Sequence, residues 1–114
     1  MTAASLSDYA LFQGITNEDM QMLLPCINAR LVSLQPGQSV PWEPETVGLI
    51  LNGRCFVAAE DFGQDSLLSF DEPAVLQASE NCLILRMDRH MMFSPCWFSC
   101  SFHHRLRSNA STYE

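Results

Sequence analysis

The stretch from Thr46 to Glu60, TVGLILNGRCFVAAE, constrains the fold of this chain most strongly. Two apolar runs flank Asn52-Gly53, the preferred centre of a two-residue hairpin turn because both residues tolerate positive φ. In that hairpin Ile50 lies opposite Cys55, and opposed residues share a face. The two faces are Val47, Leu49 and Phe56 on one side, and Ile50, Cys55 and Val57 on the other. Because both faces are apolar, the hairpin is predicted to be covered on both sides, as in a sandwich or closed roll.

Short runs that favour strands continue on both sides of this hairpin, and turn residues separate them. They predict strands at residues 29–34, 38–42, 66–70, 74–78 and 82–87, and turns at 36–37, 61–64 and 71–73. Strands at this regular spacing indicate a mainly β fold, and the double-sided burial of the central hairpin makes a roll the expected architecture.

Helical signals stand at the two ends of the chain. Thr16 is a predicted N-cap, and Pro25 should end or kink the helix that follows it. Asp88 can cap one short turn, and Ser94-Pro95 is a typical start for a second helix. This second helix carries an apolar stripe at helical spacing, formed by Trp97, Phe98, Phe102 and Leu106. We therefore expect one domain over residues 1–114, with a helical part at 10–30, a β-roll at 30–87 and C-terminal helices at 88–109.

The charge balance limits the partners that this chain can have. Its formal net charge is −7, with 6 basic residues, all of them arginine, against 13 acidic ones. Nucleic acids and anionic membrane surfaces are bound through basic patches, so neither partner is expected. No apolar run is long enough to span a bilayer and the N-terminus lacks the pattern of a secretory signal, which predicts a cytoplasmic location. The 5 cysteines are accordingly expected to be reduced.

No pattern in the sequence indicates catalysis. The phosphate loop, the G-x-S-x-G nucleophile turn and the H-E-x-x-H zinc motif are all missing from residues 1–114, so neither an enzyme nor a cofactor is expected. Cys96, Cys100, His103 and His104 share one predicted helix and are weak candidates for metal ligands. One helix rarely presents four ligands to one ion, so we favour the alternative that the cysteines are small core residues and the histidines a polar helix edge.

The order of these parts resembles the effector domain of the Crp/Fnr transcription regulators. The resemblance rests on LFQGI before a short capped helix, then RLVSLQPGQSV, TVGLILNGRCFV and AVLQASENCLILRMD, and it covers nearly the whole chain. It implies the cyclic-nucleotide-binding-domain fold, a double-stranded β-helix or jelly roll with flanking N- and C-terminal helices. The ending CWFSCSFHHRLRSN looks like the start of that family's dimerisation helix. The resemblance therefore implies a homodimer through Trp97, Phe98, Phe102 and Leu106, or association with a full-length relative; the alternative is a monomer whose helix folds back on its own roll.

The sequence departs from the family in the segment that holds the ligand phosphate. That segment is a cassette, in which a Gly-Glu turn and short helix are followed by an Arg-Ser/Thr-Ala run. Here Phe70 passes almost directly to Glu72, Pro73 and Ala74, so the helical turn is missing and a carboxylate stands where the resemblance places the phosphate-binding arginine. A carboxylate repels a phosphate that an arginine would bind through two charge-assisted hydrogen bonds. Cyclic nucleotide is therefore not expected to bind in the usual mode.

Two functional hypotheses follow. The first is a non-enzymatic regulatory or sensor domain that acts by ligand sensing or protein association and does not bind DNA by itself, because the family's winged helix-turn-helix does not occur before Glu114. The second is a β-roll that binds a different small molecule, apolar or cationic, or a metal held by the C-terminal helix. The sequence identifies no ligand for either.

Overall fold

The computed structural model describes residues 9–93 and 101–110. Helical elements in these residues are a 3-10 turn at Ala10–Phe12, α1 (Asn17–Cys26), α2 (Arg89–Phe93) and α3 (Ser101–Ala110). The strands are β1 (Arg30–Leu34), β2 (Ser39–Trp42), β3 (Thr46–Asn52), β4 (Cys55–Val57), β5 (Glu60–Phe62), β6 (Leu67–Leu68), β7 (Ala74–Ala78) and β8 (Cys82–Asp88). Within the same residues, no helix is both long enough and apolar enough to cross a bilayer.

The strands form two antiparallel four-stranded sheets. The first has the order β1-β8-β3-β6 and the second β2-β7-β4-β5. Strand β3 is buried along its whole length except for Asn52, because the first sheet is covered on both faces. Val47 and Leu49 pack in the core beneath the helices, whereas Ile50 packs in the core between the sheets. The predicted mainly β roll and the double-sided burial of this stretch are thus confirmed.

The predicted hairpin at Asn52-Gly53 is wrong. Strand β3 pairs with β8 and β6, while β4 pairs with β5 and β7, so the chain passes here from the first sheet to the second. Gly53 has φ +88°. A Cβ at Gly53 would lie 2.0 Å from the carbonyl oxygen of Asn81 and 2.8 Å from Cα of Cys82. A glycine is therefore needed here because the backbone of this connection passes close to the start of β8. It does not form a two-residue turn between paired strands.

The tight hairpin lies one strand later. Val57 of β4 pairs with Glu60 of β5, and Ala58 between them has φ +54°. The predicted turn at 61–64 is therefore displaced: Glu60–Phe62 is a strand, and Asp65 with φ +64° supplies the left-handed residue of the next turn. Alanine rarely adopts positive φ, so no local signal marked this turn. The predicted strand at 66–70 is also shorter, since only Leu67–Leu68 pair with β3.

The helical parts enclose the first of two hydrophobic cores. Thr16 caps α1, because its Oγ1 accepts a hydrogen bond of 3.2 Å from the backbone N–H of Asp19. Asn109 Nδ2 on α3 donates to the carbonyl oxygens of Leu11 and Gln13, both at 2.8 Å, and so ties α3 to the N-terminal segment. The buried residues of this core are Tyr9, Leu11, Phe12, Ile15, Met20, Leu23, Ile27, Val47, Leu49, Leu51, Leu85, Met87, Leu106 and Ala110.

The second core fills the space between the two sheets. Its buried members are Leu34, Trp42, Ile50, Cys55, Leu68, Leu76, Ala78, Cys82 and Ile84. They come from both sheets, as the alternation of side chains along β-strands requires when both inner faces are covered. This core fills the interior of the roll with the chain's own side chains.

Candidate functional site

The corner that replaces the phosphate cassette is the five-residue connection Ser69–Pro73 between β6 and β7. It contains bends but no helical turn, and Asp71, Glu72 and Pro73 are all exposed. A helical turn would present several backbone N–H groups at its N-terminus, which is how such a turn holds an anion. This corner instead presents two carboxylates to solvent, so its chemistry is unsuited to a phosphate.

An arginine from outside the corner holds it in place. Arg89 follows β8, and its Nη2 donates hydrogen bonds to Ser69 Oγ and, at 3.2 Å, to the carbonyl oxygen of Phe70. Its backbone N–H donates to the carbonyl oxygen of Glu45 at 2.8 Å. The Nε atom of the same guanidinium is buried and has no acceptor among the described residues. A guanidinium therefore lies beside the corner, but its Nη2 already donates hydrogen bonds to residues of the corner. No local pattern in the sequence predicts this role of Arg89.

The adjacent space between the sheets is occupied by an indole. Trp42 is 2% exposed, and its Nε1 donates a hydrogen bond of 3.1 Å to the carbonyl oxygen of Thr46. The ring lies against Gly48 of β3, where a Cβ would be 2.5 Å from Cζ2. The chain thus fills this part of the roll with its own side chain, and the tryptophan is fixed by both a hydrogen bond and a close contact.

Two thiols meet in the same core. Cys55 comes from the second sheet and Cys82 from the first, and both are buried and free. A hydrogen bond with Cys82, together with burial, raises the pKa of the Cys55 thiol. The same hydrogen bond lowers the pKa of Cys82, although burial opposes this. Proton loss from the pair therefore occurs first at Cys82, with the Cys55 S–H as the donor to its thiolate.

A cleft of about 290 Å³ opens at one end of the first sheet. Its lining is mostly polar and charged and consists of Asn28, Arg30, Glu45, Thr46, Arg86, Met87 and Asp88. Arg30 and Arg86 are register partners on β1 and β8. Sequence reasoning missed this cleft because the pairing of the first strand with the last, which brings the two arginines together, has no local signature.

The predicted metal ligands lie mostly outside what the structure describes. Cys96 and Cys100 fall between the described ranges, and His103 and His104 lie on α3 with side chains that are not described. In the described part of the chain, no group of three or more His, Cys, Asp or Glu side chains is placed to hold a metal ion. The metal hypothesis for these four residues therefore stays a prediction.

The predicted dimer stripe is only partly visible. Trp97 and Phe98 fall outside the described residues, and the side chain of Phe102 on α3 is likewise not described. Leu106 is 0% exposed, because it packs in this chain's own core with the N-terminal helical segment. Leu106 is thus a core residue of its own chain, and the contact with a second copy through this stripe stays a prediction.

Comparison with known proteins places the fold. No family model and no curated protein matches the sequence. Among solved structures, the chain is similar to a protein of Geobacter metallireducens described as cyclic nucleotide-binding, at 10% identity over 99% of this chain and 95% of that one, with a TM-score of 0.72. It is also similar to a cyclic nucleotide-binding domain from Methylobacillus flagellatus, at 12% identity over 97% of this chain and 72% of that one, with a TM-score of 0.70.

A regulator's sensor domain shows the same likeness. The chain matches the sensor domain of the transcriptional regulator DNR from Pseudomonas aeruginosa at 18% identity over 95% of this chain and 78% of that one, with a TM-score of 0.61. These three solved structures cover 99%, 95% and 97% of this chain. The chain therefore has the fold of a cyclic-nucleotide-binding domain, the jelly roll also found in the sensor domains of Crp/Fnr-type regulators.

Proposed function

We propose that this domain is a non-enzymatic regulatory sensor that does not bind cyclic nucleotides through a phosphate cassette. The observation that carries the proposal is the Ser69–Pro73 corner, which joins β6 to β7 without a helical turn. The fold argues for regulation by ligand sensing, because the similar structures are cyclic-nucleotide-binding and regulator sensor domains. The corner argues against the usual way in which such a fold holds its ligand.

Electrostatics supports the claim that the corner does not hold the phosphate of a cyclic nucleotide. Glu72 and Asp71 are exposed on the corner, so a phosphate brought there would meet two carboxylates without a paired guanidinium. Arg89, which contacts the corner, already donates hydrogen bonds to Ser69 and Phe70. The net charge of −7 adds a repulsive field for any polyanion, which is why direct contact with DNA is not part of the proposed function.

The proposed output is association through the C-terminal helical segment, with a second copy or with a full-length relative. Since α3 gives Leu106 and Ala110 to the chain's own core, the contact would use the aromatic residues that precede α3 in the sequence, Trp97 and Phe98. Sedimentation equilibrium of the wild type and of a Trp97→Ala, Phe98→Ala variant addresses this point. We expect a dimer that the double substitution converts to a monomer; a wild type that stays monomeric at all concentrations would remove self-association from the proposal.

Thermal unfolding with added nucleotide tests the ligand part. A ligand present at a hundred times its Kd stabilises the native state by about 2.7 kcal/mol. For a domain of this size that raises Tm by roughly 10 °C. We expect millimolar cyclic AMP or cyclic GMP to leave Tm unchanged. A saturable rise of several degrees that Glu72→Gln increases would mean that the corner does hold a phosphate, and would contradict the proposal.

A further inference from the structure

Two arginines stand side by side at one end of the roll. Arg30 of β1 is the register partner of Arg86 of β8, as Val32 is of Ile84. Side chains alternate along a strand, so the two arginines lie on the same face of the first sheet as Ile84, which is buried between the sheets. Both arginines are exposed. They therefore mark the point where the inner face of this sheet reaches solvent.

The two charges are not neutralised by the chain. In the part of the chain that the structure describes, neither guanidinium is paired with a carboxylate. Like charges that lie directly opposite each other on neighbouring strands destabilise a sheet. A chain with 6 basic and 13 acidic residues nevertheless places two of its arginines together. A bound anion between them would turn this repulsion into attraction.

Trp42 orients one of the two groups. The guanidinium carbon of Arg86 lies 6.0 Å from the centroid of the indole, which is fixed by its hydrogen bond to Thr46. This is the distance range of a cation–π contact. Stacking on the ring leaves the N–H edge of a guanidinium free, and that edge matches the two oxygens of a carboxylate or phosphate.

The rest of the cleft limits the charge of a ligand. Asn28 and Thr46 supply uncharged polar groups, whereas Glu45 and Asp88 supply carboxylates. Asp88 is already engaged, because its Oδ1 accepts a hydrogen bond of 3.1 Å from the backbone N–H of Met91. Glu45 is exposed and would repel a second negative charge. A volume of about 290 Å³ suits a small molecule with one anionic group and polar substituents.

We propose that the cleft at the end of the first sheet, where Arg30 and Arg86 lie side by side, binds a small organic anion whose carboxylate or phosphate is held by both guanidinium groups. This assigns a ligand class to the sensor and so rests on the proposed function for its biological meaning. The site is separate from the Ser69–Pro73 corner and does not use the cassette. Its lining residues Arg86 and Asp88 belong to β8, the strand that leads into α2.

Calorimetric titration at low salt with DL-lactate and with glycerol 3-phosphate tests the binding and distinguishes the two anionic groups. We expect saturable binding of at least one probe, weakened tenfold or more by Arg30→Gln and by Arg86→Gln. Arg54→Gln is the matched control, because it makes the same change of charge on an exposed arginine in the connection between β3 and β4. Glu45→Gln should tighten binding of the phosphate probe, since a facing carboxylate is removed.

Thermal unfolding without ligand separates loss of the site from loss of the fold. Arg30→Gln should keep or raise Tm, because it relieves the repulsion between the pair. Arg86→Gln relieves the same repulsion but loses the contact with Trp42, so its Tm should stay close to that of the wild type. Absence of saturable binding by both probes to the wild type would overturn the proposal, as would equal weakening by Arg54→Gln. Neither result bears on the proposed function, which is tested with cyclic nucleotides. If a cyclic nucleotide bound, and if Glu72→Gln strengthened that binding while Arg86→Gln left it unchanged, the proposed function alone would be contradicted.

Discussion

Gly48 lies directly against the indole ring of Trp42, and the ring occupies the space that a larger side chain at Gly48 would need. A Cβ at Gly48 would lie 2.5 Å from Cζ2 and 2.8 Å from Cη2 of the indole, closer than real Cβ contacts come. Gly48 does not have a positive φ, so its role is to make room for the ring and not to permit an unusual backbone. Because Gly48 has no side chain, Trp42 can fill this part of the core and contact the guanidinium of Arg86.

Substitution of Gly48 by alanine should destabilise the domain. The buried indole is hydrogen-bonded to Thr46 and cannot move away freely. The added methyl group therefore overpacks the core and should lower the free energy of unfolding by about 1–3 kcal/mol. Chemical denaturation measures this loss. Gly63→Ala is the control, because a Cβ there meets the flexible end of Arg54 at 3.2 Å and should cost much less. Equal stability of Gly48→Ala and the wild type would show that the indole is not fixed as described.

The thiol pair should give Cys82 a pKa below the ordinary value of 9.0, because Cys55 donates a hydrogen bond to its thiolate. A lowered native pKa of an acid contributes stability that is fully present above the unfolded pKa and lost as the pH falls through the native value. The raised pKa of Cys55 acts in the opposite direction, with stability lost as the pH rises above 9.0. We therefore expect stability to rise up to about pH 9 and to fall beyond it on account of this pair.

The pH dependence of the cysteine Cβ chemical shifts in NMR, with Cys82→Ala to assign the Cys82 signal, reports the titration of Cys82 directly. Its midpoint should lie below 9.0 in the wild type and should move upward in Cys55→Ala, where the donor is lost while burial remains. A wild-type midpoint at or above 9.0, unchanged by Cys55→Ala, would mean that the two thiols do not interact.

Arg89 should determine how rigid the Ser69–Pro73 corner is. Arg89→Met keeps the aliphatic part of the side chain but removes the donors to Ser69 and Phe70. Hydrogen bonds from a charged group contribute about 1.5–3 kcal/mol each, so a loss of that order in unfolding free energy is expected. Hydrogen exchange should become faster at the corner and stay unchanged in α1. Unchanged exchange at residues 69–73 would show that the corner is held by other contacts.

Local signals in the sequence predicted local structure well. Thr16 and Asp88 each accept the capping hydrogen bond expected of them, from Asp19 and Met91 respectively. The apolar residues on both faces of β3 predicted a strand covered on both sides, because burial depends on the strand's own composition. In these cases the residues that carry the signal are also the residues that form the contact.

Pairing between distant strands was beyond the reach of the same reasoning. Asn52-Gly53 has the sequence of a hairpin turn, yet β3 pairs with β8 and β6 and not with β4. Apolar side chains of β8 and β6 pack in both cores. The cleft depends on the register of Arg30 with Arg86, which neither strand encodes alone. The resemblance to Crp/Fnr sensor domains predicted the fold, which the similar solved structures confirm.

Isothermal titration of the full chain with cyclic AMP and cyclic GMP tests the central claim most directly, namely that the Ser69–Pro73 corner holds no nucleotide phosphate. Glu72→Arg, which restores the charge that the resemblance expects at this position, is the informative companion variant. We predict no saturable heat with the wild type, and none with Glu72→Arg because the helical turn is still missing. Saturable binding of either nucleotide to the wild type with a micromolar Kd would contradict the account.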